Sequence, residues 1–193
     1  MLDNLKKYNI VLVSNSPRRK ELLQRLGLNF KVRNLLGVDE RYPQSLRGED
    51  IARYISRQKA EAYRASMKKD ELLITADTIV CSEGQVLGKP LDASQAKQML
   101  KGLSGKTHQV ITGVTVLSEK RIENFAVTSY VRFAQLSDEE ISYYVDNYLP
   151  LDKAGAYGIQ EWIGLIAVEE LRGSFFNVMG LPVQRLYQLL KQF

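Results

Sequence analysis

The stretch "VLVSNSPRRKELLQRLGL", residues 11–28, sets the architecture of this chain. Its apolar start belongs to a run from Asn9 to Val13 that reads as a buried strand, and Ser14–Ser16 reads as turn and cap. Pro17 suits the first helical position, Leu22, Leu23 and Leu26 form an apolar stripe, and Gly27 marks the stop. Arg18 and Arg19 occupy the first turn of that helix, where backbone dipoles disfavour cations and attract anions. The dipole penalty is about 0.3–1 kcal/mol, whereas a charge-assisted hydrogen bond contributes about 1.5–3 kcal/mol. Two guanidinium groups beside free helix N–H groups therefore suit a phosphate ligand. The plainer reading leaves the arginines covering apolar surface with their stems or pairing with Glu21.

Working outward, a strand is expected over Phe30–Leu36, then a polar loop carrying Asp39 and Glu40, then a helix over Glu49–Lys69. Leu72–Cys81 is an apolar strand interrupted by Thr75, Asp77 and Thr78, with Ser82-Glu83-Gly84 turning into Gln85–Gly88 as a hairpin. Asp92 caps a helix over Ala93–Lys101. Strands are expected at Thr107–Ser118 and Ile122–Phe133, and Ser137 with Glu140 forms a capping box before Ile141–Asn147. Ile163–Val168 reads as a strand and Pro182–Phe193 as an amphipathic helix. Strands and helices mix without strict alternation, which predicts an α/β fold on a mixed sheet. No repeat or linker interrupts the chain, so residues 1–193 are expected to form a single domain, compact or two-lobed.

Composition narrows the function classes. The 193 residues are 45% hydrophobic and 25% charged, ordinary for a soluble protein with a sizeable core. The net charge of +5 is spread among acids, a pattern that fits small phosphate-bearing ligands. Nucleic acid is not an expected partner, since no base-stacking platform or acid-poor basic stripe is present. Cys81 is the only cysteine, which excludes an internal disulfide and a cysteine-based zinc site. No signal peptide or membrane span is legible, and a cytoplasmic location is expected.

Several residues could carry chemistry, and each has a bland reading beside the functional one. Asp77 sits inside an apolar strand, where a carboxylate costs several kcal/mol unless paired or metal-bound; it could equally be satisfied by local hydrogen bonds. Asp39, Glu40 and Lys89 would ordinarily be solvated loop residues, and His108 a structural core group. The segment "DKAGAYGIQE", residues 152–161, combines glycines with a glutamine amide that offers an acceptor and two donors; it could also be a plain glycine turn. Tyr157, Phe175 and Phe176 could be core or could stack on a base. Gly102–Thr107 looks like a phosphate-binding P-loop, but position 100 is leucine rather than glycine and the following residues read as strand. That motif is rejected, with at most a minor role near the ligand left to Lys106.

Taken in order, Ser14–Arg19 (S-x-S-P-R-R), Val38–Glu40 (V-D-E), Lys59, Ala76–Thr78 (A-D-T), Gly88–Pro90 (G-K-P), Ser104–His108 (S-G-K-T-H), Asp152–Gln160 and Asn177–Pro182 resemble the Maf family of nucleoside triphosphate pyrophosphatases. The resemblance runs over nearly the whole chain. It implies a two-lobed, inosine-triphosphatase-like fold on a mixed sheet with flanking helices, a nucleotide cleft between the lobes, and a homodimer. It also implies hydrolysis of a nucleoside triphosphate to monophosphate and pyrophosphate, with a divalent cation, Mg2+ or Mn2+, as cofactor. By the same resemblance Asp77 is the proton acceptor and a metal ligand with Glu40. Ser14, Arg19, Lys59 and Lys89 handle phosphates, and Arg18, Thr78 and Gln160 select the nucleotide.

Arginine, threonine and glutamine at the selecting positions resemble the branch acting on dTTP and UTP. Uracil and thymine place an N3–H donor beside carbonyl acceptors, an edge that a glutamine amide can match. One departure stands out: the family often has glycine after that glutamine, where this chain has Glu161. The alternatives are a pyrophosphatase for another or modified nucleotide, or a non-enzymatic nucleotide-binding regulator of cell division.

Overall fold

Apolar runs at Asn9–Val13 and Glu71–Ser82 are long enough to be buried on both faces, the condition for strands that pair in parallel beneath helices. In the computed structural model, which describes residues 2–34 and 37–193, they are β1 (Asn9–Val13) and β3 (Glu71–Ser82). β1 lies between β2 (Phe30–Arg33) and β3 and is parallel to both, with Ile10 opposite Phe30 on one side and Leu72 on the other. Parallel neighbours need crossovers, supplied by α1 (Pro17–Arg25) and α2 (Glu49–Arg64). The remaining strands are β4 (Gln85–Leu87), β5 (Thr107–Leu117), β6 (Ile122–Phe133) and β7 (Val168–Arg172). Among the described residues the seven strands run β2-β1-β3-β5-β6-β7 with β4 paired to β3, and the β3–β4 and β6–β7 pairs are antiparallel, so the sheet is mixed. The other helices are α3 (Ala93–Leu103), α4 (Asp138–Tyr148), α5 (Trp162–Ala167), α6 (Phe175–Met179) and α7 (Val183–Leu190).

The chain divides into two compact units, Met1–Asp77 with Thr112–Val127 and Gly180–Phe193, and Thr78–Ile111 with Thr128–Met179. In the first, Ile51, Ala52, Ile55 and Ala60 of α2 are buried. A Cβ on Gly113 would lie 2.2 Å from the Ala52 carbonyl oxygen, so glycine is what lets α2 settle directly on β5. Beside that contact, Thr75 Oγ1 donates to the Ser56 carbonyl at 2.7 Å and Ser56 Oγ meets Thr115 Oγ1 at 3.1 Å. These bonds key the helix to β3 and β5 in one register.

In the second unit, Ser82 pairs with Gln85 across Glu83 and Gly84, both at positive φ, which makes the expected tight hairpin. Asp92 caps α3 through the Gln95 N–H at 2.8 Å, and Ser137 and Glu140 complete the capping box of α4.

Three expectations differ from the structure, and two short elements were not anticipated. β2 ends at Arg33 because β1 ends opposite it, the last bond being Ser14 N–H to the Arg33 carbonyl at 3.1 Å; Leu35 and Leu36 lie outside the described residues. α2 stops at Arg64 rather than Lys69, since Ser66 Oγ takes the Tyr63 carbonyl and the chain turns toward β3. Ile163–Val168 is a correction: residues 162–167 are helical and the strand begins at Val168. A short apolar run carries no decisive period, and Gly164 permits the helical path, because a Cβ there would sit 1.8 Å from the Ile159 carbonyl oxygen. The 3-10 turn Asp3–Lys7 and helix α6 carry too few residues to show a period in sequence. No helix among the described residues is long and apolar enough to cross a membrane.

Candidate active site

The register between α2 and β3 places the chemistry. Side chains three or four residues on share a helix face, and those two residues on share a strand face. One step beyond the Ser56–Thr75 contact therefore brings Lys59 against Asp77. The Lys59 Nζ donates to Asp77 Oδ1 at 2.6 Å and lies 2.9 Å from Glu40 Oε1. Lys59 and Asp77 are buried, at 4% and 8% exposure, while Glu40 is exposed on its loop. Two carboxylates thus bracket one ammonium, drawn from a loop, a helix and a strand.

The opening segment contributes from the same unit. Ser14 is buried and its Oγ accepts the Ser16 N–H at 3.1 Å; Ser16 Oγ in turn accepts the Arg19 N–H at 3.4 Å as the cap of α1. Arg19 Nε donates to the Gly180 carbonyl at 2.8 Å. Gly180 has φ of +117°, a conformation that favours glycine, so the closing motif presents a backbone oxygen rather than a side chain. Burial pushes the Arg19 guanidinium down from its ordinary range; Asp77 and Glu40 pull it back up, and Arg18 pushes it further down. Arginine stays protonated in any such setting. Arg19, Arg18, Asp77 and Glu40 therefore share one electrostatic field.

The other selected residues lie in the second unit. Thr78 follows Asp77 in β3 and is half-buried; Lys89 is exposed beyond β4. The Gly155 N–H donates to the Gly88 carbonyl at 3.0 Å, which joins the G-K-P segment to the loop that carries Gln160. Gln160 is exposed, and its Nε2 lies 3.5 Å from Glu161 Oε1. Lys153, which sequence reasoning left without a role, is buried between Asp152 Oδ1 at 2.7 Å and Glu161 Oε1 at 3.1 Å. Tyr144, fully buried, donates to Glu161 Oε2 and accepts the Gly158 N–H at 3.0 Å. Burial and the bond to Glu161 both push its phenol up. Burial of this lysine and tyrosine shows only in the structure, and nothing in the sequence spacing said which acid they would meet.

Five further residues take structural or surface positions. His108 is buried, its Nε2 2.7 Å from Tyr157 Oη, and burial pushes its pKa down to about 4. Tyr157 belongs to that core contact, whereas Phe175 and Phe176 are partly exposed. Lys106 pairs with Glu83 at 3.1 Å, and the segment after Gly102 runs from α3 into β5, the reverse of a P-loop.

Whether a divalent cation suits the first unit depends on its oxygens. Among the described residues no group of three or more His, Cys, Asp or Glu forms a metal cage. Asp77 and Glu40 nevertheless converge on one point charge, and Mg2+ typically takes one or two carboxylates and completes its shell with water and substrate phosphates. The pair fits such an ion.

Comparison with known proteins now bears on this geometry. The family described as Maf-like protein matches residues 9–193. A protein of Phocaeicola vulgatus named dTTP/UTP pyrophosphatase is 58% identical over 192 residues, all of both chains. One of the same name from Bacteroides fragilis is 57% identical over 192 residues, again all of both chains. Among solved structures, the Staphylococcus aureus Ham1 protein superposes with a TM-score of 0.53 at 16% identity, covering 96% of this chain and 97% of its own, a likeness of fold alone.

Proposed function

The chain belongs to the Maf family, and on that premise we propose that it hydrolyses dTTP and UTP to the monophosphate and pyrophosphate, a house-cleaning activity on the nucleotide pool. The observation that carries the reading is the Lys59 ammonium held between Asp77 and Glu40 with Arg19 in the same field. Relatives named dTTP/UTP pyrophosphatase at 57–58% identity support the substrate.

In this reading Asp77 orients a water and takes its proton as the oxygen attacks the α-phosphorus. The bond from that phosphorus to the bridging oxygen breaks, and pyrophosphate leaves with the electron pair. Arg19, Lys59 and Lys89 neutralise phosphate oxygens, and Ser14 shapes the turn that aims the α1 N–H groups. Catalysis of this kind rests on positioning and charge stabilisation. Glu40 and Asp77 would hold Mg2+ or Mn2+, which supplies further neutralisation of the triphosphate. Arg18, Thr78 and Gln160 select the nucleotide, the Gln160 amide answering the N3–H and carbonyl edge of uracil and thymine. The proposal extends to a cytoplasmic homodimer, the compartment following from the substrate, and sedimentation of the purified chain tests the dimer.

The deciding experiment is a panel of ordinary and modified nucleoside triphosphates with Mg2+ or Mn2+, assayed for pyrophosphate. Release from dTTP and UTP that a chelator abolishes is expected. Preference for another nucleotide would reassign the substrate, and binding without release would leave a nucleotide-binding regulator.

A further inference from the structure

Gln160 can present its amide in two directions, and they read opposite bases. With Oε1 toward the N3 position and an N–H toward the 4-position, the amide matches uracil and thymine, which offer N3–H and a 4-carbonyl. Turned over, it matches cytosine, which offers a bare N3 and a 4-amino group. A glutamine alone therefore does not separate the two kinds of pyrimidine.

The residue after it does. Gln160 Nε2 faces Glu161 Oε1 at 3.5 Å. Both groups lie over Gly158, where an added Cβ would come within 2.9 Å of Gln160 Nε2 and 2.8 Å of the Glu161 carboxyl carbon. Glu161 itself has little freedom. Its Oε2 receives the Tyr144 hydroxyl and its Oε1 the buried Lys153 ammonium, which Asp152 also holds. An ionised carboxylate only accepts hydrogen bonds. The reversed Gln160 amide would set a carbonyl oxygen against that carboxylate, leaving two acceptors face to face.

From these contacts we infer that Glu161 is a positioning residue that sets the direction of the Gln160 amide and thereby favours 4-oxo over 4-amino pyrimidines. One amide hydrogen points to Glu161; Oε1 and the second hydrogen remain for the base. This deepens the proposed function and rests on its reading of Gln160 as the base-contacting group.

The test compares kcat/KM for dTTP, UTP, dCTP and CTP in the wild type, Glu161→Gln and Glu161→Asp, with Mg2+ present. A glutamine at 161 keeps the size of the side chain but meets either direction of the neighbouring amide. The dTTP-over-dCTP preference should fall about tenfold or more in Glu161→Gln. The change should come from a lower KM for dCTP, with kcat for dTTP moving less than the preference does. Glu161→Asp, which keeps the carboxylate, should recover part of the preference. An unmoved ratio in an active Glu161→Gln enzyme overturns the assignment of Glu161 and leaves the activity intact, as does an equal loss on all four nucleotides. A wild type that cleaves no pyrimidine triphosphate overturns the proposed function and this inference together. A second measurement needs no variant at 161: the side-chain amide signals of Gln160, identified by their loss in Gln160→Leu, should show one hydrogen-bonded and one free proton. Two free protons overturn the inference.

Discussion

Each unit of this protein buries a lysine between two carboxylates, and the two clusters are put to different ends. Lys153 sits between Asp152 and Glu161 in a single loop, and a buried tyrosine hydroxyl occupies the remaining oxygen of Glu161. That network is closed, and it shapes a loop. Lys59 sits between Asp77, 18 residues away, and Glu40 of an exposed loop, with Arg19 in the same field. That cluster shares its field with two further cations, Arg18 and Arg19, a balance that suits the triphosphate and cation of the proposed function. The lesson is that a buried ion pair does not by itself announce a reactive site; the charges that surround it are what tell two such pairs apart.

Removing the carboxylate that is assigned the chemistry should separate the clusters most sharply. Asp77→Asn keeps the shape and a partner for Lys59, so the melting curve should survive while pyrophosphate release drops about a thousandfold. Near-normal turnover in a folded variant would end the assignment.

Lysine removal compares the clusters directly. Removing a buried ammonium from its ion-pair partners costs about 3 kcal/mol, so Lys59→Met and Lys153→Met should both melt early. Only Lys59→Met should regain stability on adding Mg2+, because its two carboxylates can then share the ion. Equal rescue of both variants would erase the distinction.

Acid should act on the second unit through His108. Its folded pKa is about 4 against an unfolded value of 6.5. Between those values the unfolded chain binds a proton that the native one does not, so stability is full above pH 6.5 and is lost as pH falls toward 4. From pH 7 to pH 5 the loss from this group should be about 2 kcal/mol. Thermal melts of the wild type and His108→Phe check it, and the variant should show a flatter dependence on pH.

The smallest stability effect belongs to Glu40. Its carboxylate faces solvent and Lys59 keeps Asp77 as its buried partner, so the pair contributes under about 1 kcal/mol and Glu40→Gln should barely move the melt. The variant should still need several-fold more Mg2+ for half-maximal activity, read from a metal titration. An unchanged titration would confine the cation to Asp77.

The local features were legible in advance because their causes are local. Ser16, Asp92 and Ser137 cap helices through residues three positions on, and the Glu83-Gly84 hairpin follows from two adjacent residues. Misreadings fell where a particular contact, near or far in the chain, overrides the local pattern. β2 ends because β1 does, and the helix over residues 162–167 needs the close approach of Gly164 to the Ile159 carbonyl.

The candidate site divides along the same line. Residue context alone singled out Arg19 at a helix start and Asp77 inside an apolar strand, charges that demand partners whatever the fold, whereas Glu40 and Lys59 were named by the family resemblance. Which partners they take was decided only in three dimensions, where α2 lies on Gly113, Ser56 meets Thr75, and Lys59 therefore reaches Asp77. The Gly180 carbonyl that receives Arg19, and the Tyr144 and Lys153 that hold Glu161, were likewise beyond reach of the one-dimensional pattern. A sequence states which groups cannot be left alone in a protein interior. Packing of distant segments determines what each of them meets, because a contact between residues far apart in the chain leaves no period or spacing to read.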